Sequence, residues 1–163
     1  MTHGLRILKR KRAVDLELAR NFLDVPVANV SDCMSRMTSG GARLRPMHAG
    51  GRMAGPALTV KTRPGDNLMI LKALMLAKPG DVIVVDGGGD LTNALVGEIM
   101  MSYAKSRGAV AFVVDGAVRD ADSFEAKQFP CWARGIHLRG PYKEGPGMIN
   151  VPVVVGGMLV NPG

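Results

Sequence analysis

Gly80-Asp-Val-Ile-Val-Val-Asp-Gly-Gly-Gly-Asp90, Gly97-Glu-Ile-Met-Met-Ser-Tyr-Ala-Lys-Ser-Arg-Gly108 and Ala111-Phe-Val-Val-Asp-Gly-Ala-Val-Arg-Asp120 make up the stretch that decides the fold of this chain. Val82 to Val85 and Val110 to Val114 are short continuous apolar runs rich in β-branched residues, the pattern of strands buried on both faces and paired in parallel. Each run ends in Asp-Gly. Between them, Ile99, Met100, Tyr103 and Ala104 recur at helical spacing, Lys105 and Arg107 suit the negative end of a helix, and Gly108 is a good stop. The unit therefore reads strand, loop, helix, strand, loop. A right-handed crossover brings both strand ends to one sheet edge, where ligands bind, so Glu98, Arg119 and Asp120 are expected to converge there.

A length of 163 residues allows one domain with a sizeable core, and 47% hydrophobic residues with few aromatics fits a globular α/β protein. The net charge of +7 is concentrated in Lys9-Arg10-Lys11-Arg12, without interleaved aromatics. Residues 1–12 are read as a solvated basic lead-in, and nucleic acid is not expected as a partner. Cys33 and Cys131 fit no zinc spacing and are too few for a disulfide framework, which points to a reducing, cytoplasmic setting. No run approaches the roughly 20 apolar residues needed to span a bilayer, so a membrane is not expected either.

Outward from the centre, Ala13 to Leu23 is expected to be helical with Val14, Leu18 and Phe22 on one face. Ser31 is expected to cap a short helix through Met37, with Asp32 near its positive end. Ala57 to Thr62 reads as a strand. Asp66 or Asn67 can cap a helix to Ala77 that is apolar almost all round and should be buried on most sides. Ala121 to Gln128 reads as a short helix, Cys131 to Leu138 as a strand, and Val151 to Val155 with Met158 to Val160 as strands around Gly156-Gly157. The Gly87-Gly88-Gly89 loop can approach a ligand closely, but Thr92 stands where a dinucleotide fingerprint needs its third glycine. Asp86, Asp90 and Asp115 are read as turn formers before ligands, Arg43, Arg45, Arg52 and Arg63 as solvated or ion-paired, and His137, with no second ligand nearby, as structural or surface.

Glu98 is followed by twenty residues, Ile99 to Val118, and then by Arg119-Asp120. This spacing resembles the acidic residue, twenty-residue gap, Arg-Asp signature of the class II pyruvate aldolases, the 4-hydroxy-4-methyl-2-oxoglutarate aldolases, which share a superfamily with the regulators of ribonuclease activity A. Val27 to Asp32, the Gly55 to Val60 strand, Asp66-Asn67, Lys78 to Val82 and the closing Gly156-Gly157 with Asn161-Pro162-Gly163 resemble further segments of that family, about 140 residues in all. The resemblance implies an α/β fold of the β/β/α swivelling type and assembly as a homotrimer or a hexamer of two trimers. It implies a divalent cation, Mg²⁺ or Mn²⁺, on Asp120, and an Arg119 that holds the carboxylate or keto oxygen of a pyruvyl group. Backbone N–H groups at Gly97, Glu98 and Ile99 would receive the substrate carboxylate, and Glu98 would act as acid or base through a water. The implied activity is cleavage of a 2-keto acid to release pyruvate, by retro-aldol reaction, by decarboxylation of oxaloacetate, or both.

Two departures from the family pattern stand out. Glu98 replaces the aspartate of the best-matched aldolases, and the chain stops at Gly163 where relatives continue and can supply a carboxylate to a neighbouring subunit. The competing readings are a non-catalytic regulator that binds a ribonuclease or another protein, and an S-adenosylmethionine methyltransferase suggested by Val-Val-Asp-Gly-Gly-Gly.

Overall fold

The computed structural model describes residues 4–163. In chain order its elements are β1 (Leu5–Ile7), α1 (Leu16–Asn21), a 3-10 turn (Phe22–Asp24), α2 (Val27–Cys33), β2 (Arg45–Pro46), β3 (Ala57–Thr62), α3 (Leu68–Leu76), β4 (Val82–Asp86) and β5 (Ala94–Val96). They continue with α4 (Glu98–Ser106), β6 (Ala111–Val118), α5 (Ala121–Ala126), β7 (Cys131–Ile136), β8 (Gly147–Ile149), β9 (Val153–Val155) and β10 (Met158–Val160). One sheet runs β1-β8-β3-β4-β6-β7-β2, with β5 also paired to β6, and β9 and β10 form a separate hairpin. The central strands β3, β4, β6 and β7 are parallel, as the unbroken apolar runs require, while β8 lies antiparallel to β3 at one side.

The two-residue period of a strand sorts the sheet into two faces. Leu58, Val60, Ile83, Val85, Phe112 and Val114 pack with Ile70 and Leu74 of α3, Met101 of α4 and Phe124 of α5. The alternate positions Val82, Val84 and Ala111 pack with Val153 and Val155 of the hairpin and with Leu8, Leu44 and Val160. Helices thus cover one face and a second β layer covers the other, the β/β/α arrangement that the family resemblance implies. No helix among the described residues is long and apolar enough to cross a membrane.

On the hairpin face, the same alternation places Asp86 directly opposite Asp115 on neighbouring strands, and both are almost wholly buried (5% and 4% exposed). Two buried carboxylates side by side repel unless countercharged. Lys61, in register with Asp86 on β3, bonds it at 2.8 Å, and Arg134 on β7 forms a two-point pair with Asp115. The hairpin is pinned by the same acids: Gly156 N–H donates to Asp115 at 3.0 Å and Val154 N–H to Asp86 at 3.4 Å. Asp86 and Asp115 are therefore more than turn formers; they clamp the second layer to the sheet.

Several expectations are corrected. The stretch 4–12 is not a solvated lead-in: Leu5–Ile7 pairs with β8, and Arg10 bonds the buried Asp81 at 2.8 Å. Residues 1–3 lie outside the described part. In α1 it is Ala19 that is buried, whereas Leu18 and Phe22 face outward, and Asp15 caps the helix by accepting from Glu17 and Leu18 N–H. Ser31 is not a cap, because α2 starts directly after Pro26, whose fixed φ suits a helix start; Asp32 falls in the last turn and pairs with Arg36. Met75 and Leu76 leave part of α3 exposed. β6 does not end at Asp115-Gly116 but runs on to Val118, since the added strand β5 pairs with it there and the register shifts between Val114 and Ala117.

The clamp gives a stability prediction. Asp115→Asn leaves Arg134 without its counter-ion and should lower the unfolding free energy by about 3 kcal/mol. Urea denaturation checks it, and the Asp115→Asn/Arg134→Met double variant should lose less than the sum of the single losses.

Candidate active site

The end of β6 meets the start of α4 through one carboxylate. Asp120 is left-handed (φ +56°), and its Oδ2 accepts from the Glu98 N–H at 3.0 Å, an anion placed on a helix start. Arg119 Nε lies 3.8 Å from the same oxygen, and the Arg119 N–H donates to Val96 O at 3.0 Å. Gly97 makes this approach possible. A Cβ there would stand 2.6 Å from Asp120 Oδ2 and 2.8 Å from Arg119 Cγ, while its φ of −156° is ordinary extended backbone, so space rather than torsion calls for glycine.

Beneath this contact lies a cavity of about 30 Å³ lined in part by Asn67, Leu95, Gly97, Ile99, Met100 and Arg119. It has room for a water or one small group of a ligand. The first intrahelical bond of α4 runs from Met101 N–H to Gly97 O, so the N–H groups of Ile99 and Met100 precede the ladder and are donors available at the helix start. Asn67 donates through Nδ2 to Leu95 O at 3.0 Å, which fixes the amide's orientation, and its buried Oδ1 has no partner. An unpaired buried acceptor costs about 1–3 kcal/mol, and a hydroxyl or water in the cavity would relieve it.

Gly97, Glu98, Ile99, Arg119 and Asp120 are thus neighbours, but they do not all face the cavity. Gly97, Ile99 and Arg119 line it; the side chains of Glu98 and Asp120 do not. Glu98 turns toward Lys127, whose Nζ lies 2.7 Å from its carboxylate and 3.0 Å from Ser102 Oγ. That hydrogen bond, followed by the charge of Lys127, lowers the Glu98 pKa below its ordinary value, so the group is a carboxylate at neutral pH. The Glu98 N–H, one of the expected three donors, is spent on Asp120.

Asp120 uses Oδ2 for both contacts, which leaves Oδ1 on a side chain 43% exposed. Mg²⁺ and Mn²⁺ are held by one or two carboxylates with water and substrate completing the shell, and this donor fits such an ion. Among the described residues no group of three or more His, Cys, Asp and Glu side chains converges on a metal position. His137 is structural, its Nδ1 accepting from Arg139 N–H at 3.0 Å.

Sequence reasoning missed Lys127, which lies 29 positions from Glu98 and carries no local signal. Of the two caps it offered for α3, Asp66 serves, its Oδ1 accepting from Leu68 N–H at 2.9 Å, and the place of Asn67 beside the cavity was not foreseen.

Comparison with known proteins follows the same lines. A protein of Halalkalibacterium halodurans named "Putative 4-hydroxy-4-methyl-2-oxoglutarate aldolase" is 39% identical over 149 residues, 91% of this chain and 71% of its own. A Burkholderia mallei protein of the same name is 38% identical over 133 residues, covering 78% of this chain and 80% of its own. Among solved structures, the Thermus RNA-processing inhibitor RraA superposes with a TM-score of 0.78 at 30% identity, covering 86% of this chain and 85% of its own. Streptomyces coelicolor RraAS2, described as an unusual member of the RNase ES inhibitor RraA family, gives 0.82 at 28% identity over 93% of this chain and 80% of its own. A Geobacillus kaustophilus structure described as a dimethylmenaquinone methyltransferase gives 0.77 at 28% identity over 85% and 86%. The family model described as RraA-like, Aldolase/RraA, matches residues 27–163, and with the identities above this means that the chain belongs to the RraA-like family.

Proposed function

We propose that this chain is a divalent-metal-dependent carbon–carbon lyase that releases pyruvate from a 2-keto acid, as a 4-hydroxy-4-methyl-2-oxoglutarate or 4-carboxy-4-hydroxy-2-oxoadipate aldolase, an oxaloacetate decarboxylase, or both. The observation that carries it is the packing of the Gly97-Glu98 helix start on Arg119-Asp120, which sets one guanidinium and helix-start N–H donors on a single small cavity, with the Asp120 carboxylate bonded to the Glu98 N–H beside it. The names of the aldolase relatives support the same reading.

The substrate carboxylate lies over the N–H groups of Ile99 and Met100, and the Arg119 guanidinium takes the keto oxygen. Asp120 would hold the divalent cation, which would supply Lewis-acid polarisation of the keto group when bound. In the aldol substrate, Glu98 accepts the C4 hydroxyl proton through a water, the C3–C4 bond breaks, C4–O becomes a carbonyl, and the bonding pair forms the pyruvate enolate. In oxaloacetate, loss of CO₂ leaves the same pair. Arg119 offsets the enolate charge, and a proton returned to C3 completes pyruvate. The buried Asn67 Oδ1 accepts from a substrate hydroxyl or a water in the cavity.

Ile99, which lines the cavity, is 81% exposed, an apolar side chain that supports a homo-oligomer, trimer or hexamer, with subunits meeting beside the site. A second reading, a non-catalytic regulator of a ribonuclease, is favoured by the two RraA structures alone.

The test is pyruvate release from oxaloacetate and from 4-hydroxy-4-methyl-2-oxoglutarate, with Mg²⁺ and with chelator. Arg119→Ala and Asp120→Ala should each lower kcat/KM about 10²-fold or more, and chelation should abolish wild-type turnover; equal rates in the three proteins remove the assignment, and no wild-type turnover on either substrate favours the regulator. Gly97→Ala should lose activity to a similar extent while remaining folded by circular dichroism, because its methyl displaces Asp120 and Arg119. In a ¹³C NMR titration, the Glu98 carboxyl should titrate below the usual range in wild type and move up in Lys127→Met, since removing the ammonium removes the preference for the ionised form. The sign follows linkage: a depressed folded-state pKa contributes above the unfolded pKa and is lost as pH falls through the folded one.

A further inference from the structure

Lys9-Arg10-Lys11-Arg12 does not hang in solvent. Leu8 N–H donates to Ile149 O at 3.1 Å, Asn150 Nδ2 to Leu8 O at 2.8 Å and Val14 N–H to Gly163 O at 2.7 Å, so the segment is tied to the body at both ends, and Arg10 anchors its middle on Asp81 at 2.8 Å. Between this strap and the sheet edge runs a groove of about 700 Å³, far larger than the cavity at the candidate active site. Its floor is apolar, from Leu8, Val14, Leu16 and Leu76. Its rim carries Lys9, Lys11, Arg12 and Lys78, exposed and without a carboxylate partner among the described residues; Arg10 and Asp81 cancel each other. Asn150 also lines the groove, and its Oδ1 is a buried acceptor with no partner.

Four exposed cations around an apolar floor repel one another and lower the local cost of bringing in negative charge. A simple solvated charge run needs neither a tethered backbone nor a hydrophobic base. No aromatic side chain lines the groove for base stacking, which argues against single-stranded nucleic acid. We propose that this groove docks an extended acidic segment of a partner protein, whose carboxylates meet the rim, whose apolar side chains fill the floor, and one of whose main-chain N–H groups satisfies Asn150 Oδ1. The surface is separate from the Arg119-Asp120 site and independent of the activity assigned to it.

The test uses the full chain and fluorescence anisotropy with a labelled peptide of alternating Glu and Leu, beside a labelled oligouridylate of equal charge. The peptide should bind at low salt and weaken as salt rises. The combined Lys9→Glu, Lys11→Glu, Arg12→Glu and Lys78→Glu variant should bind about tenfold more weakly or worse, and the matching Gln set should fall between. Replacing each Leu of the peptide by Ser should also weaken binding. Thermal melts establish which variants are folded, and the milder Gln set carries the comparison where charge reversal unfolds the chain. Absence of peptide binding, binding unchanged in both variant sets, or oligouridylate bound more tightly than the peptide would each overturn the proposal.

Discussion

Asp86 and Asp115 stand side by side in the interior of a parallel sheet, where two ionised carboxylates could not persist without compensation. The compensation comes from the strands on either side. Lys61 on β3 and Arg134 on β7 complete a row, cation, acid, acid, cation, across the four central strands. Because side chains alternate, all four project to the same face, and there the acids also accept main-chain N–H groups of Val154 and Gly156. The row therefore fixes strand register and docks the second β layer together. A slip of one residue would turn the carboxylates into the helix-packed face, among Phe112, Phe124 and Met101.

With register held, the rest of the site follows from the crossover. β4 hands the chain to β5 and α4, and β6 returns beside them, so that Gly97 and Asp120 must pass within contact distance. Asp120 then does two jobs. One oxygen stabilises the start of α4 as an anion on its positive end, and the other remains open to solvent. The left-handed turn at Asp120 is a local strain sustained by its surroundings, of the kind that gathers at functional sites. Glu98 is governed separately, by Lys127 from beyond α5, and this separates the ionisation of the acid from the cavity itself.

Much of this architecture was readable beforehand where a local pattern and a burial requirement agreed. β3 was read at Ala57–Thr62 as observed, and α4 closes on Gly108 as its chemistry demands. The reading failed where local chemistry allowed two outcomes. Ser31 can cap a helix or ride inside one, and Pro26 chose the latter. Asp115-Gly116 can end a strand or bend one, and pairing with β5 chose continuation. A run of four basic residues can be solvated or strapped down, and a buried acid 71 positions from Arg10 chose the strap.

By itself the sequence determined the parallel α/β core and the closeness of Glu98 to Arg119-Asp120, because continuous apolar runs and right-handed crossovers act over short distances along the chain. Only the tertiary structure decided which way the Glu98 carboxylate turns, that Asn67 leaves an acceptor unpaired beside the cavity, and that Asp86 and Asp115 are clamped and not free. Those outcomes rest on Lys127, Leu95, Lys61 and Arg134, partners brought close by packing with no signal in local sequence.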